Sequence, residues 1–288
     1  MNIIDCHTHT QFSVDSDADI IQMIEKAISL GLSAYAVTDH CECNRWYSEE
    51  YYKGEEGYKF YNFGQDFEKS VSAVTSLKKK YPDFNLLCGV ELGQATQDIE
   101  IAEKVVSDNR LDFIIGSVHQ LPKTDDFCFL DYQKYSSDEI KNLLERYFLE
   151  INKICSWGKF DVLGHLTYNL RYMHSALGYD PDISPYDDII ADSFKKLIQK
   201  GKGIEINTSG LRQSYGQTFP NLKYIKLFRQ LGGEIISVGS DSHTVEDLGS
   251  GIKEGIKLAS DAGFKYICYF KQHSPVFIEI NQKGFFEL

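Results

Sequence analysis

Short apolar runs alternate with longer stretches of helical periodicity along the chain. Apolar residues recur three and four positions apart from Ile20 to Ile28, which predicts an amphipathic helix that ends at Gly31. The same periodicity predicts further helices at 67–80, 99–106, 137–157, 188–200, 222–231 and 245–262. The apolar runs predict strands at 3–9, 34–38, 85–92, 113–118, 161–166, 203–207 and 235–240, with a final strand-like run at 266–270.

The order of these elements predicts a parallel sheet, because parallel neighbours need a crossover connection such as a helix. Seven or eight such units are too many for a compact open sheet, and the length of 288 residues fits a barrel of the (β/α) kind. Hydrophobic residues make up 42% of the chain, which is enough to bury one large core. We therefore expect a single domain over residues 1–288.

Charge and cysteine content narrow the functional class. The formal net charge of −12 counts against nucleic acid as a partner, because nucleic-acid binders usually carry a basic surface. The sequence shows neither a signal-peptide pattern at its start nor an apolar stretch of membrane-spanning length. Seven cysteines without a CxxC pair argue against a disulfide framework, and we expect a structural role for Cys41 and Cys43. We expect a cytoplasmic protein that binds neither nucleic acid nor membrane; the sequence does not indicate its oligomeric state.

Polar residues end nearly every predicted strand. In a (β/α) barrel these positions lie on the face that carries the catalytic groups. Residues two apart on a strand face the same side, so His7 joins His9, and His243 joins Asp241. One such histidine alone is more often structural, but the repeated pattern indicates a site for two or three divalent metal ions. The strand-end residues are His9, His40, Glu91, His119, His165, Asn207 and Asp241.

Two acidic residues beside these positions suggest supporting roles. Asp5 shares the face of His7 and His9 but lies deeper, so we expect it to orient a ligand rather than to bind metal. Asp39 faces away from His40, and the sequence leaves open whether it supports a ligand or only the fold.

Six ordered motifs resemble those of the PHP (polymerase and histidinol phosphatase) superfamily. Within it, the chain most resembles the histidinol-phosphate phosphatase of histidine biosynthesis, through its length, the Glu205–Gly210 segment and two downstream arginines. The motifs are Asp5-Cys6-His7-Thr8-His9, Thr38-Asp39-His40, Gly89-Val90-Glu91, Ser117-Val118-His119, Gly164-His165 and Gly239-Ser240-Asp241-Ser242-His243.

The resemblance implies a distorted (β/α)7 TIM-like barrel with a trinuclear metal centre at the C-terminal ends of the strands. Asp15 stands where family members often have a further histidine, and we expect it to act as a ligand. Nitrogen and oxygen ligands of this kind accept zinc, manganese or iron. The implied ligands are His7, His9, Glu91 and Asp241 for the first metal, Glu91 as a bridge with His119 and His165 for the second, and His40 and His243 with Asp15 for the third.

The resemblance also implies an enzyme that hydrolyses the phosphomonoester L-histidinol phosphate to L-histidinol and phosphate. Two adjacent divalent ions would supply a bridging hydroxide and hold the attacking and leaving oxygens. Glu91 and Asp241 are the expected catalytic residues. Arg171, in the predicted loop 167–175, and Arg212 match arginines that hold phosphate, since a planar guanidinium can bind two of its oxygens. The proton donor to the leaving group stays open between Asp241, a metal-bound water and a metal ion.

Two other functional classes compete with this one. A nucleotide or oligonucleotide phosphatase or exonuclease of the same superfamily would use the same metals, but the chain lacks a basic cleft. A noncatalytic metal-binding regulatory module would normally show degenerate ligands, whereas this set is nearly complete.

Loops on the metal-bearing face are expected to form the substrate site. The long loop 41–65 is rich in aromatic residues, and we expect either a lid over an imidazole ring or a self-packed surface loop. The loops 120–135 and 166–186 carry acidic residues that could attract a substrate amine, although the sequence does not identify which one.

Overall fold

The computed structural model describes residues 3–44 and 65–280 of the chain. The aromatic residues of the predicted lid, from Trp46 to Phe63, lie outside these described residues, so the lid stays a prediction. Within the described ranges, no helix is both long enough and apolar enough to cross a membrane.

The described strands form a closed parallel barrel with a separate hairpin. Seven strands follow one another as parallel neighbours in the order β1, β2, β4, β5, β6, β7, β8, and β3 pairs with β4. The amide of Cys6 donates to the carbonyl of Val238 at 3.0 Å, and the amide of Asp241 donates to the carbonyl of His7 at 2.8 Å. These two hydrogen bonds join the end of β8 to the end of β1. The predicted seven-stranded (β/α) barrel is therefore confirmed. The strands are β1 (Ile3–Asp5), β2 (Leu32–Val37), β3 (His40–Glu42), β4 (Leu86–Gly93), β5 (Phe113–Ser117), β6 (Val162–Leu163), β7 (Gly203–Asn207), β8 (Ile236–Gly239), β9 (Tyr266–Lys271) and β10 (Ser274–Glu279).

Helices connect successive strands, and their ends follow local capping chemistry. The carboxylate of Asp19 accepts hydrogen bonds from the amides of the first turn of α1. The longest described helix, α4, begins with a reciprocal capping box between Ser136 and Glu139 and ends at Gly158, whose φ of 63° stops the right-handed helix. The helices are α1 (Ile20–Ser29), α2 (Gln65–Lys80), α3 (Ile99–Val106), α4 (Ser137–Trp157), α5 (Leu170–Leu177), α6 (Asp187–Gln199), α7 (Leu222–Gln230) and α8 (Ile252–Asp261).

Several elements differ from the sequence prediction. The strand predicted over 3–9 ends at Asp5, and β3 was not predicted. The helix predicted from residue 245 begins only at Ile252, because Gly249 and Gly251 have φ values of 79° and 73° that a right-handed helix does not allow. The strand predicted over 161–166 is reduced to β6, since the amide of His165 donates to the side-chain carboxylate of Glu205 instead of to a backbone carbonyl of a neighbouring strand. The loop predicted around Arg171 contains helix α5.

The final strand-like run does not extend the barrel. It forms β9, which pairs antiparallel with β10, and the tip of this hairpin lies against the residues that precede β5 and β6. The amide of His273 donates to the carbonyl of Asp112 at 2.9 Å, and its Nδ1 lies 2.9 Å from a carboxylate oxygen of Asp161. Because Asp112 and Asp161 precede their strands, the hairpin tip lies at the N-terminal end of the barrel, opposite the predicted metal site.

Candidate metal centre

The nine residues predicted as metal ligands meet at the C-terminal end of the barrel. The nine side chains differ in how much of each is exposed to solvent. Asp15, His40 and His243 have side chains that are 38%, 17% and 28% exposed, whereas the others are almost completely buried. The structure therefore places a buried centre beneath an outer group that is open to solvent. The buried members are His7, His9, Glu91, His119, His165 and Asp241.

The first group consists of His7, His9, Glu91 and Asp241. The Nε2 atoms of His7 and His9 lie 3.0 Å apart. Glu91 Oε2 is 3.2 Å from Nε2 of His7, and Asp241 Oδ1 is 3.3 Å from Nε2 of His9. Four side chains, one from β4 and three from the segments that follow β1 and β8, thus direct nitrogen or oxygen atoms to one point.

The second group consists of Glu91, His119 and His165. Glu91 Oε1 lies 2.8 Å from Nε2 of His119 and 2.6 Å from Nε2 of His165. The two oxygens of Glu91 therefore face different groups, which is the geometry that a bridging carboxylate requires. This placement agrees with the bridging role implied by the resemblance.

The third group consists of Asp15, His40 and His243. Asp15 Oδ2 is 3.2 Å from Nε2 of His243 and 3.5 Å from Nε2 of His40. The ring of His9 lies between those of His40 and His243, with centroids 4.2 Å and 4.1 Å away. Asp15 thus occupies the position expected of the substitute ligand.

The buried groups fit divalent cations. Two nitrogen ligands about 2.05 Å from one ion in tetrahedral geometry lie about 3.3 Å apart. The observed separations are 3.0 Å between the Nε2 atoms of His7 and His9, and 3.4 Å between those of His119 and His165. Facing lone pairs at these distances repel unless a cation lies between them, so the arrangement suits metal ions.

Acceptors behind three of these rings fix which nitrogen faces the centre. Nδ1 of His7 lies 2.7 Å from Glu205 Oε1, and Nδ1 of His119 lies 2.9 Å from Glu42 Oε1. An ionised carboxylate can only accept, so each of these two oxygens can take a proton from Nδ1 when Nε2 binds a metal ion. Nδ1 of His9 lies 2.9 Å from Ser13 Oγ, which donates its own proton to Asp39.

These supporting residues were only partly predicted. Glu42 and Ser13 were not identified as supporting residues from the sequence, and Glu205 was named only as part of the segment that resembles the family. Asp39 accepts hydrogen bonds from Ser13, which contacts His9, and from Thr10 and Ser70, so both alternatives considered for it match contacts in the structure. Asp5 contacts no imidazole: it accepts hydrogen bonds from the amide and hydroxyl of Ser240, and so holds the backbone next to Asp241.

Electrostatics favour ionised carboxylates within the centre. Burial opposes ionisation of Glu91, yet the adjacent His119, His7 and His40 rings hold its pKa well below the ordinary value. Burial and the neighbouring His243 and His40 rings lower the pKa of His9 to about 3, so this ring is neutral at pH 7. Ionised carboxylates and a neutral imidazole are the protonation states that bind metal.

Asp241 occupies a strained and closely held position. Its φ of 52° lies in the left-handed region, which is uncommon for a residue other than glycine. Its Oδ1 faces His9, while its Oδ2 accepts hydrogen bonds from Asn207 at 3.2 Å and Ser209 at 3.3 Å. One carboxylate oxygen is therefore fixed by protein donors, which leaves the other directed at the first group.

Arg171 lines the pocket above the centre. Its guanidinium packs over the ring of Tyr168 at 4.4 Å, and its closest polar neighbours are Ser209 Oγ at 3.5 Å and Asp241 Oδ2 at 3.9 Å. Its Nε is buried without a hydrogen-bond partner among the described residues. A buried cation with such weak partners is suited to bind an anion.

Arg212, unlike Arg171, donates short hydrogen bonds to backbone carbonyl groups. Its Nη1 donates to the carbonyl of Ser240 at 2.6 Å, and its Nη2 donates to the carbonyl of Asp241 at 2.8 Å. Its Nε lies 3.5 Å from a carboxylate oxygen of Asp247. Arg212 thus supports the backbone of Asp241, and any phosphate contact would have to use its remaining N–H groups.

The cysteines near His40 do not join the centre. Cys41 and Cys43 are buried, and the metal-compatible clusters within the described ranges contain only histidine and carboxylate side chains. The expected structural role of both cysteines agrees with this placement.

Comparison with known proteins agrees with the predicted fold and family. The chain is 28% identical over 277 residues to a probable histidinol-phosphatase of Clostridium acetobutylicum, covering 94% of this chain and 98% of that one. It is 25% identical to the histidinol-phosphatase of Lactococcus lactis, covering 99% of both.

A solved structure shows the same fold. The crystal structure of histidinol phosphate phosphatase from Lactococcus lactis, in complex with zinc, L-histidinol and phosphate, superposes with a TM-score of 0.76 at 22% identity, covering 96% of this chain and 99% of that one. The model of the PHP domain family matches residues 5–209. The chain therefore belongs to the PHP domain family.

Proposed function

We propose that this protein is a metal-dependent phosphomonoesterase that hydrolyses L-histidinol phosphate in histidine biosynthesis, with one catalytic domain over residues 1–288. The observation that carries the proposal is a buried histidine and carboxylate centre that shares one pocket with the weakly paired cation of Arg171. The names of the similar proteins, and the L-histidinol and phosphate in the Lactococcus structure, support this choice of substrate.

The three groups would hold two or three divalent ions, with Glu91 shared between the first and second groups. Zinc in the Lactococcus structure supports zinc as one candidate, and manganese and iron suit the same ligands. When bound, such ions lower the pKa of water and neutralise charge on the phosphoryl oxygens.

Asp241 is suited to orient the attacking water and to accept its proton. Burial opposes ionisation of its carboxyl, but the rings of His7, His9 and His243 and the cation of Arg171 hold its pKa well below the ordinary value. An ionised Asp241 carries no proton for the leaving oxygen at the start of the reaction. The leaving oxygen can take its proton from Asp241 after this residue has accepted one from the attacking water, or from another water molecule.

Arg171 is the proposed phosphate-binding residue, since its buried guanidinium can donate to two phosphate oxygens at once. Arg212 is proposed as a second, weaker contact, because two of its donors are already engaged by Ser240 and Asp241. Both residues would hold the phosphate beside the carboxylate of Asp241.

The same pocket contains a candidate acceptor for the substrate amine. Tyr168 packs its ring under Arg171 at 4.4 Å and donates its hydroxyl to Asp126 Oδ1 at 3.1 Å. A guanidinium thus lies over the ring of this tyrosine, and a carboxylate lies at its hydroxyl group. This arrangement suits a small molecule with a phosphate and an ammonium group a few bonds apart, as in L-histidinol phosphate.

Phosphate release by the purified protein tests the proposal directly. With manganese or zinc, we expect L-histidinol phosphate to be hydrolysed far faster than nucleotides or short oligonucleotides. An alkyl phosphate that lacks the amine serves as a matched substrate, and Asp126→Asn should reduce the preference for the amine-bearing compound. Comparable rates on all substrates, or no hydrolysis of any, would reject the assignment.

A further inference from the structure

The carboxylate of Glu42 lies behind the proposed ligand His119, and no step of the proposed hydrolysis uses it. Glu42 ends the short strand β3, which pairs with β4 so that His40 lies beside Glu91 and Glu42 beside Gly93. The Glu42 side chain is 11% exposed, and its Oε1 lies 2.9 Å from Nδ1 of His119. Its Oε2 is buried without a hydrogen-bond partner among the described residues.

The carboxylate of Glu42 occupies space that only a glycine on the adjacent strand leaves free. A Cβ atom added at Gly93 would lie 2.6 Å from both Cδ and Oε1 of Glu42, and closer still to Oε2. The three atoms nearest to that position all belong to Glu42. Any side chain at position 93 would therefore displace the carboxylate from the imidazole of His119.

The His119 ring has a competing hydrogen-bond acceptor on its other side. Its Nε2 lies 2.8 Å from Glu91 Oε1. If the single proton of the neutral ring were on Nε2, it would be donated to Glu91, and this nitrogen could not then bind a metal ion. An acceptor at Nδ1 favours the other tautomer, in which Nε2 and the Glu91 oxygen are both free.

We propose that Glu42 is a positioning residue that keeps the His119 proton on Nδ1, and that Gly93 provides the space for its carboxylate. The inference rests on the proposed metal centre but not on the identity of the substrate. Glu42 binds neither metal nor phosphate in this role. It acts only through the orientation and tautomer of His119.

Metal affinity and the His119 proton test the inference without substrate. We expect Glu42→Ala to lower zinc affinity 10- to 100-fold, measured by competition with a chromophoric chelator, because removing such acceptors typically has this effect. In the zinc-loaded protein, the downfield Nδ1–H resonance of His119 should disappear. Glu42→Gln keeps the shape and an amide oxygen acceptor, so it should restore part of the affinity.

A double-mutant cycle tests the part assigned to Gly93. Gly93→Ala should lower zinc affinity in the wild-type background but add little to Glu42→Ala, because the carboxylate it displaces is then absent. The matched control is Asp180→Ala, which removes a carboxylate 2.7 Å from Nδ1 of His174, outside the centre. This variant should keep wild-type zinc affinity.

The inference would be overturned by wild-type zinc affinity and an intact Nδ1–H resonance in Glu42→Ala. Independent, additive effects of Gly93→Ala and Glu42→Ala would overturn the link between the two positions. Failure of the wild-type protein to hydrolyse L-histidinol phosphate would instead reject the proposed substrate, and would leave these metal-binding results unaffected.

Discussion

Substitution of Arg171 gives the most direct test of the phosphate site. The side chain is 12% exposed, its guanidinium packs on Tyr168, and its hydrogen bond to Ser209 Oγ is long at 3.5 Å. Its Nε has no hydrogen-bond acceptor among the described residues of the free protein. A bound phosphate would supply the missing hydrogen-bond acceptors, so most of the binding energy of this residue should appear in the complex with substrate.

The size of the effect follows from the hydrogen bonds that are lost. A hydrogen bond to a charged group contributes about 1.5–3 kcal/mol. Arg171→Lys keeps the charge but loses the bidentate hydrogen bonding of a guanidinium. We therefore expect a loss of about 1.5 kcal/mol in transition-state stabilisation, or roughly tenfold in kcat/KM. Arg171→Ala removes the charge as well, and about 3 kcal/mol corresponds to a loss of roughly 150-fold.

Steady-state phosphate release from L-histidinol phosphate measures these losses, and metal analysis of each variant provides the control. We expect metal content to be retained, because the nearest ligand oxygen, on Asp241, is 3.9 Å from the guanidinium. Arg146→Ala, on the exposed face of α4, should behave like the wild type. Unchanged kinetics in Arg171→Ala, or loss of its metal, would refute the phosphate-binding role.

Three further substitutions address the bridge, the second arginine and the distal hairpin. Glu91→Gln should abolish metal binding and turnover, because it removes the charge shared by the first two groups; retention of metal would exclude a bridge. Arg212→Ala should raise KM less than Arg171→Ala does, since two of its donors are engaged; loss of metal would instead assign Arg212 to the support of Asp241. In His273→Asn, the new asparagine tolerates the φ of 61° at this position, but the contact between the imidazole and Asp161 is lost. Asp161 raises the pKa of His273, so this contact stabilises the fold below about pH 6.5 and loses its effect as pH rises through the raised pKa. The variant should therefore lower Tm more at pH 6 than at pH 9; an equal decrease at both values would contradict the reasoning.

The ligand positions could be predicted from the sequence because strand geometry is periodic. Parallel strands end at one edge of a barrel, and side chains two residues apart share a face, so His7, His9 and Asp241 fall on the same side without knowledge of the fold. The closure of β8 onto β1 then brings them to within hydrogen-bond distance of one another.

The supporting residues could not be predicted in the same way, because their contacts depend on the pairing of distant segments. Glu42 reaches His119 only because β3, which periodicity did not indicate, pairs with β4 in one register. Glu205 lies on β7 but contacts His7, which follows β1, across the intervening strand β8. Neither contact has a local pattern in the sequence.

Both of these supporting carboxylates depend on a glycine of a neighbouring strand. A Cβ at Gly93 would displace the carboxylate of Glu42, and a Cβ at Gly239 would lie 2.7 Å from Oε1 of Glu205. The two positions nevertheless differ, because the Cβ at Gly239 would also meet the Cβ of His7 itself. Alanine at Gly239 must therefore move a proposed ligand together with its acceptor, whereas alanine at Gly93 displaces the acceptor alone. Alanine at Gly93 can therefore perturb the orientation of His119 through Glu42, without the new methyl group meeting a proposed ligand.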